Sequence, residues 1–377
     1  MDEIRKLGGP TGIARSWVEI DLSRLEHNVS VIRGLLPAKT SIIAVVKANA
    51  YGHGIAAVAK RLAELGLKSF AVADPAEGLQ LRDLLPEAEI TVFGGCRKGE
   101  EEIFRSARLT AAVFDLREIS TDLRIQVKID TGMGRLGISW RRLESVLPRI
   151  RGRITGVYAT LASADVDPAF TRLQIDRFLQ ATTAMRIRRH ICNSAGLRFP
   201  QGHLEAVRPG LALYGIALVP ELTALKPILE WKTRILTINV MEKGSTLGYG
   251  CTYTTTREES RIAVLPLGYA DGYNRRLSNR GQVEIGGRLF PVVGRVSMDQ
   301  VLVDVSDGEG IEAGDEVKLI SSDPDSPISA AALARRLDTI PYEILTTIGP
   351  RVVRKSQEPT EGPRSKNQIP RGEVGRI

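Results

Sequence analysis

Lys47 stands at the end of an apolar, β-branched run, Ile42-Ile43-Ala44-Val45-Val46, and is followed by Ala48-Asn49-Ala50-Tyr51-Gly52-His53-Gly54. The run reads as a strand buried in a parallel sheet. A cation at the C-terminal end of such a strand is costly unless it is paired or chemically used. Partial burial beside a second cation lowers a lysine from its usual value of about 10.4, and the neutral amine can then attack an aldehyde to form a Schiff base. The same placement also suits a lysine that snorkels to solvent. Other residues point to anion chemistry. Arg135 ends a glycine-rich turn, Asp130-Thr131-Gly132-Met133-Gly134-Arg135, that follows a strand carrying Lys128, and Arg208 precedes Pro209-Gly210-Leu211. A guanidinium is planar and permanently charged, which suits an oxyanion or a carboxylate. Tyr269, in Gly268-Tyr269-Ala270-Asp271-Gly272, carries a phenol that is a useful base only where a cation lowers its pKa. It also reads as an ordinary turn tyrosine.

The elements that must position these residues alternate. Strand-like apolar runs recur at 42–46, 70–73, 90–93, 109–114, 125–129, 154–158, 187–191 and 205–207, with helical patterns at 55–65, 75–84, 140–147 and 168–185. Eight strands with interleaved helices predict an α/β fold, a TIM-like (β/α)8 barrel, whose chemistry gathers at the C-terminal ends of the strands. Before them, 16–21 alternates as a short strand, and Asp21 or Ser23 can cap the next helix. The connection between Phe114 and Arg124 is short for a barrel helix and predicts a single turn. From about Ile235 the rhythm changes to short strands at 234–240, 261–267, 282–285, 300–305 and 316–320, with one helix at 329–337. The expected organisation is an N-terminal extension (1–15), a barrel (16–234), a mostly β C-terminal domain (235–354) and a polar, disordered tail (355–377).

The 377 residues are 43% hydrophobic and 25% charged, a composition of globular chains too long for one ordinary domain. The net charge of +8 is spread along the chain and partly concentrated in the tail. No nucleic-acid motif with interleaved aromatics accompanies it, so attraction of anionic small molecules or plain solubility accounts for it. Cys96, Cys192 and Cys251 are too few and too far apart for a disulfide framework or a metal site. No apolar run reaches membrane-spanning length, and 1–10 lacks a signal-peptide core. A cytoplasmic protein with reduced thiols is expected.

The wording of these motifs resembles the alanine racemase family. Val46-Lys47-Ala48-Asn49-Ala50-Tyr51-Gly52-His53-Gly54 is similar to that family's pyridoxal 5'-phosphate attachment motif, which implies that Lys47 holds the cofactor and Tyr51 contacts its phosphate. By the same resemblance, Arg135 in Lys128–Gly137 faces the cofactor's phenolic oxygen and the substrate carboxylate. Lys128 falls where many members carry a carbamylated lysine; an unmodified lysine paired with an acid is the alternative. Cys192-Asn193-Ser194-Ala195-Gly196 and Val207-Arg208-Pro209-Gly210-Leu211 resemble the family's phosphate loops, so Asn193, Ser194, Gly210 and Leu211 are implied as cofactor ligands and Arg208 as the residue facing the pyridine nitrogen. An arginine there keeps its proton, which weakens the electron sink and favours return of the proton to Cα. Tyr269 corresponds to the second base, the backbone of Met298 in Gly294–Gln300 to a carboxylate contact, and Tyr342 to a further phosphate position.

The resemblance implies a racemase of alanine with two bases, Lys47 and Tyr269, on opposite faces, and a homodimer with shared sites that supplies D-alanine for peptidoglycan. One departure stands out. Where the family has Tyr-Thr-His, this chain has Tyr158-Ala159-Thr160, so Tyr269 lacks a histidine neighbour. That leaves room for two other readings: a racemase of other or broader amino-acid specificity, or a cofactor-binding protein with impaired turnover. Neither His190 nor His203 offers itself as a replacement on sequence grounds.

Overall fold

The computed structural model describes residues 14–115, 122–150 and 152–357. Eight strands of the first sheet form the barrel: β2 (Ser41–Val45), β3 (Ser69–Val72), β4 (Glu89–Val92), β5 (Leu109–Val113), β6 (Arg124–Asp130), β7 (Arg153–Tyr158), β8 (Arg188–His190) and β9 (Ala206–Val207); the two residues Ile138–Ser139 add a short parallel pairing to β6. Each pairs in parallel with the next, and β9 pairs back onto β2, which closes the barrel. The strands follow the predicted apolar runs because both faces are covered; Val45, Phe70, Ile90, Leu109 and Val127 are all buried.

Helices cover the outside where caps and periodicity expect them. Asp21 caps Leu22–Leu35 by accepting from the amides of Ser23 and Arg24, while Glu26 pairs instead with Arg61 of the helix Ile55–Glu64. Pro75–Leu84 and Pro168–Thr182 start on proline after Asp74 and Asp167 caps. The predicted helix at 140–147 shrinks to a short turn, Leu143–Val146, between two 3-10 segments. The single turn expected between Phe114 and Arg124 falls largely outside the described residues.

The second sheet has nine strands: β1 (Ser16–Asp21), β10 (Leu229–Arg234), β11 (Thr237–Glu242), β12 (Glu259–Leu265), β13 (Gln282–Ile285), β14 (Arg288–Val293), β15 (Val301–Asp304), β16 (Glu316–Ile320) and β17 (Val353–Gln357). Their order is β11-β12-β15-β14-β13-β16-β10-β1-β17, antiparallel except for the β1–β17 pair. Strand pairing therefore divides the chain differently from the sequence expectation. Segments 16–21 and 229–234, grouped there with the barrel, pair with each other in the second sheet. Residues 355–357, assigned there to the tail, lie in a strand. Lys355, Ser356 and Gln357 pair with β1, and the Lys355 ammonium lies 4.3 Å above the Trp17 ring. Positions 358–377, like 1–13, fall outside the described residues.

The two sheets share one continuous core. The helix Pro341–Thr346 of the second domain lies against the turn after Lys47, so closely that a Cβ at Gly52 would stand 2.1 Å from the Leu345 carbonyl oxygen. Arg354 ties the same seam by donating to the carbonyls of Gly52, Ile348 and Gly349.

Candidate active site

Lys47 sits at the C-terminal end of β2, half-buried, and opens an irregular turn, Lys47–Tyr51. Ala48, Asn49, Ala50 and Tyr51 all have φ between +51° and +54°. Four successive non-glycine residues in the left-handed region are costly, at about 1–2 kcal/mol each. Hydrogen bonds offset this. The amide of Ala50 donates to the Val46 carbonyl, that of Gly52 to Ala48 and that of Gly54 to Asn49. The Asn49 side chain accepts from the Ile55 amide at 2.8 Å. The Glu77 carboxylate accepts from the amides of Ala48 and Ala73, which fixes the turn to the next strand. Burial, then the Arg135 guanidinium, hold the Lys47 amine below the ordinary lysine value against the pull of Glu77. Lowering an amine in this way enlarges its neutral, nucleophilic fraction.

Around it stands a set of cations with few acids. Lys128, on β6, is buried and pushed down to about 8 by burial, Arg135, Arg208 and Lys47, with Asp130 opposing. Arg135 is exposed on the loop after β6. Asp130 shapes that loop by accepting from the amides of Gly132, Met133 and Gly134. Arg208, just after β9, is fully surrounded and donates only to neutral acceptors: the carbonyls of Ala159, His190 and Ile191 and the His190 ring. Burial lowers it to about 10, so it remains a cation at neutral pH. His190 was set aside on sequence grounds as a replacement for the missing histidine. The structure shows it as a neutral imidazole held far below its ordinary value by burial and Arg208, with Nδ1 accepting from Arg208 at 2.5 Å and Nε2 donating to Gln126 Oε1 at 3.1 Å. Its sequence signal was a histidine at the end of the seventh barrel strand, directly after Arg188 and Arg189.

The loops carrying Ser194 and Gly210 meet the turn that follows Lys47. Ser194 Oγ accepts from the amides of Gly210 and Ala212 at 3.0 and 3.1 Å, which leaves its proton to donate. The buried amide of Leu211 donates to no acceptor among the described residues. A Cβ at Gly210 would stand 2.5 Å from the Tyr51 hydroxyl, so glycine is what lets that phenol reach the loop. The Tyr342 ring comes to 5.8 Å from that of Tyr51. Asn193 is in the same loop, but its side chain is engaged with the Gly196 amide and the Leu161 carbonyl. An orphan buried amide, two free hydroxyl protons and a lowered lysine amine fit an aldehyde that carries a phosphate.

Tyr269 and Met298 form a second cluster. The amides of Tyr269 and Ala270 donate to the carbonyls of Ser297 and Met298 at 3.1 Å, so the two turns are joined. Asp271 accepts from the Gly268 amide and, with Asp299, pairs with Arg351. Both side chains remain open: Tyr269 is 42% and Met298 52% exposed. The charged groups that act on Lys47 are Arg135 and Glu77, both from the barrel. Within one chain, then, Tyr269 is not among the groups gathered at Lys47. Thr160 lends its carbonyl to Gln174 and leaves its side chain unengaged.

Family models describe both halves of the chain: the alanine racemase N-terminal domain matches residues 20–218 and the alanine racemase C-terminal domain residues 228–356. The chain belongs to the alanine racemase family. That family is one of amino-acid isomerases, and its barrel and β domain are those seen here. An alanine racemase of Symbiobacterium thermophilum is 41% identical over 369 residues, covering 91% of this chain and 97% of the relative. The solved alanine racemase of Streptomyces coelicolor superposes with a TM-score of 0.82 at 33% identity, over 91% of this chain and 98% of that one. The alanine racemase of Bartonella henselae, solved with covalently bound pyridoxal phosphate, gives 0.81 at 28% identity, over 91% of this chain and all of that one.

Proposed function

We propose that the chain interconverts L- and D-alanine with pyridoxal 5'-phosphate as its cofactor, bound at Lys47, and that it does so in the cytoplasm to supply D-alanine for peptidoglycan. The observation that carries this reading is the lowered Lys47 amine beside a cradle with an orphan amide at Leu211. Tyr51, Ser194, Gly210, Leu211 and Tyr342 would hold the phosphate, with Asn193 shaping the loop. When joined to an amino acid, pyridoxal phosphate withdraws electrons and acidifies the Cα proton.

The chain's own residues would do the rest. Arg208 would face the ring nitrogen as a cation that keeps its proton, which would limit how strongly the cofactor draws charge from Cα. Arg135 and the Met298 amide grip the substrate carboxylate and fix which bond is broken. Lys47 Nζ takes or returns the proton on one face and Tyr269 Oη on the other. Two bases on opposite faces invert the centre without either having to move. Lys128 suits carbamylation, because an amine near 8 has a reactive neutral fraction and the carbamate would place a negative charge among Lys47, Arg135 and Arg208. The open Tyr269–Met298 cluster supports a homodimer in which each copy completes the other's site.

The test is formation of D-alanine from L-alanine with added pyridoxal phosphate, read together with deuterium uptake at Cα. Racemisation and exchange that both require Lys47 agree with the reading. Cofactor binding without exchange at alanine Cα would overturn it.

A further inference from the structure

A cavity of about 560 Å³ lies at the end of the barrel opposite the lysine. In barrels of this kind, bulky branched side chains normally fill the interior. Here the layer at the N-terminal ends of the strands is small and polar: Ser69, Thr91, Thr110 and Gln126 face a cavity instead of packing it. The Thr91 and Thr110 hydroxyls and the Gln126 Nε2 amide find no partner among the described residues, although all three residues are buried. Four basic residues surround this layer, Arg33, Lys68, Arg124 and Arg188, against one carboxylate, Glu89. Glu89 is already engaged, because Arg188 pairs with it at 2.8 Å and the Ser69 hydroxyl donates to it. Among the described residues, no carboxylate lies within ion-pair distance of Arg33, Lys68 or Arg124.

The cavity floor is also joined to the reaction end. Gln126 spends its oxygen on His190 Nε2, and His190 Nδ1 accepts from Arg208. A ligand that engages the free Gln126 amide shifts the side chain that orients His190 against Arg208.

We propose that the N-terminal mouth of the barrel binds a small multivalent oxyanion, a phosphate ester or polyphosphate, and that Gln126 and His190 couple its occupancy to Arg208. Hydroxyl and amide donors on the floor and guanidinium and ammonium groups on the rim are the donor set such an anion requires. The proposal does not depend on the identity of the amino-acid substrate.

Inorganic pyrophosphate is the probe, titrated calorimetrically into the full chain saturated with pyridoxal phosphate, so that the cradle at Ser194 and Leu211 is filled. Saturable binding, weakened about tenfold or more in Arg33→Glu/Lys68→Glu, is expected. Thr110→Val, a near-isosteric change on the floor, is expected to weaken it less. With only 4 histidines in the chain, ¹⁵N signals of the His190 ring are expected to move during the titration of the parent protein. Binding equal in parent and charge-reversal variant, binding seen only without pyridoxal phosphate, or a His190 signal that stays in place despite saturation would each overturn the proposal.

Discussion

The two bases assigned here live in opposite surroundings. Lys47 is half-buried at the end of a strand covered on both faces, held by a turn that hydrogen-bonds on every side, and its amine is lowered by burial and a neighbouring guanidinium. Tyr269 sits on a short 3-10 turn at the surface of the β domain, 42% exposed, with Met298 still more open beside it. Its turn is as firmly built as the lysine's, through Asp271, Asp299 and Arg351. On the proposed reading, a rigid turn that presents an uncovered phenol would be half of an interface, with one base finished within the chain and the other completed by a second copy.

Substitutions separate the halves. Lys47→Ala removes both the cofactor attachment and one base, and kcat for racemisation is expected to fall by at least ~10⁴-fold, as measured by D-alanine formation. Tyr269→Phe is expected to cost about 10² to 10⁴ in kcat, yet to leave Cα deuterium exchange intact for the enantiomer whose proton faces Lys47. Equal loss of exchange from both enantiomers would mean that the phenol supports the site without acting as a base. If each site takes Tyr269 from the other copy, mixing Lys47→Ala with Tyr269→Phe after joint refolding restores roughly a quarter of parental activity, since half the dimers are mixed and each carries one whole site. No recovery would place both bases in one chain.

Stability against acid probes the buried side of the comparison. His53 is enclosed behind the Tyr51 turn and stacked on Tyr214, and burial holds it down to about 4. Its folded value lies below its unfolded 6.5, so the unfolded chain binds the extra proton first. Stability should therefore be complete above pH 6.5 and fall as the pH drops toward 4, by up to about 3 kcal/mol from this group. Urea unfolding across that range should show the slope, and His53→Phe should flatten it. The smallest change is expected at Thr160. Thr160→His is expected to raise kcat by up to about tenfold, read as D-alanine formation.

Much of the barrel could be read from the chain because strands buried on both faces appear as unbroken apolar runs. The second sheet was harder. Its strand β14 contains Pro291 and exposed Arg288 and Leu289, and β17 reads Val-Arg-Lys-Ser-Gln. Edge and half-exposed strands lack the apolar signature, and β17 is defined by the Trp17 strand it joins. Segment 16–21 read only as a short strand ahead of the barrel strands, within the expected barrel bounds, because its partner β10 lies more than 200 residues away. The residues that gather at the Lys47 turn and the Ser194–Leu211 loops were legible as motifs because each motif is local in the chain. His190 was not, because its bond to Arg208 and its bond to Gln126 depend on three strands meeting at one level.

The mirror-handed turn that follows Lys47 also acts as a register stop for the first barrel strand. A one-residue slip of a strand exchanges its faces, and in a barrel buried on both sides the apolar pattern alone resists this weakly. Slipping β2 would carry Lys47 itself into the left-handed conformation that Ala48 occupies, and would draw Asn49 off the Ile55 amide and Glu77 off the Ala48 amide. The backbone thus has one place to stop, and the reactive nitrogen is indexed to the strand ladder before any cofactor arrives.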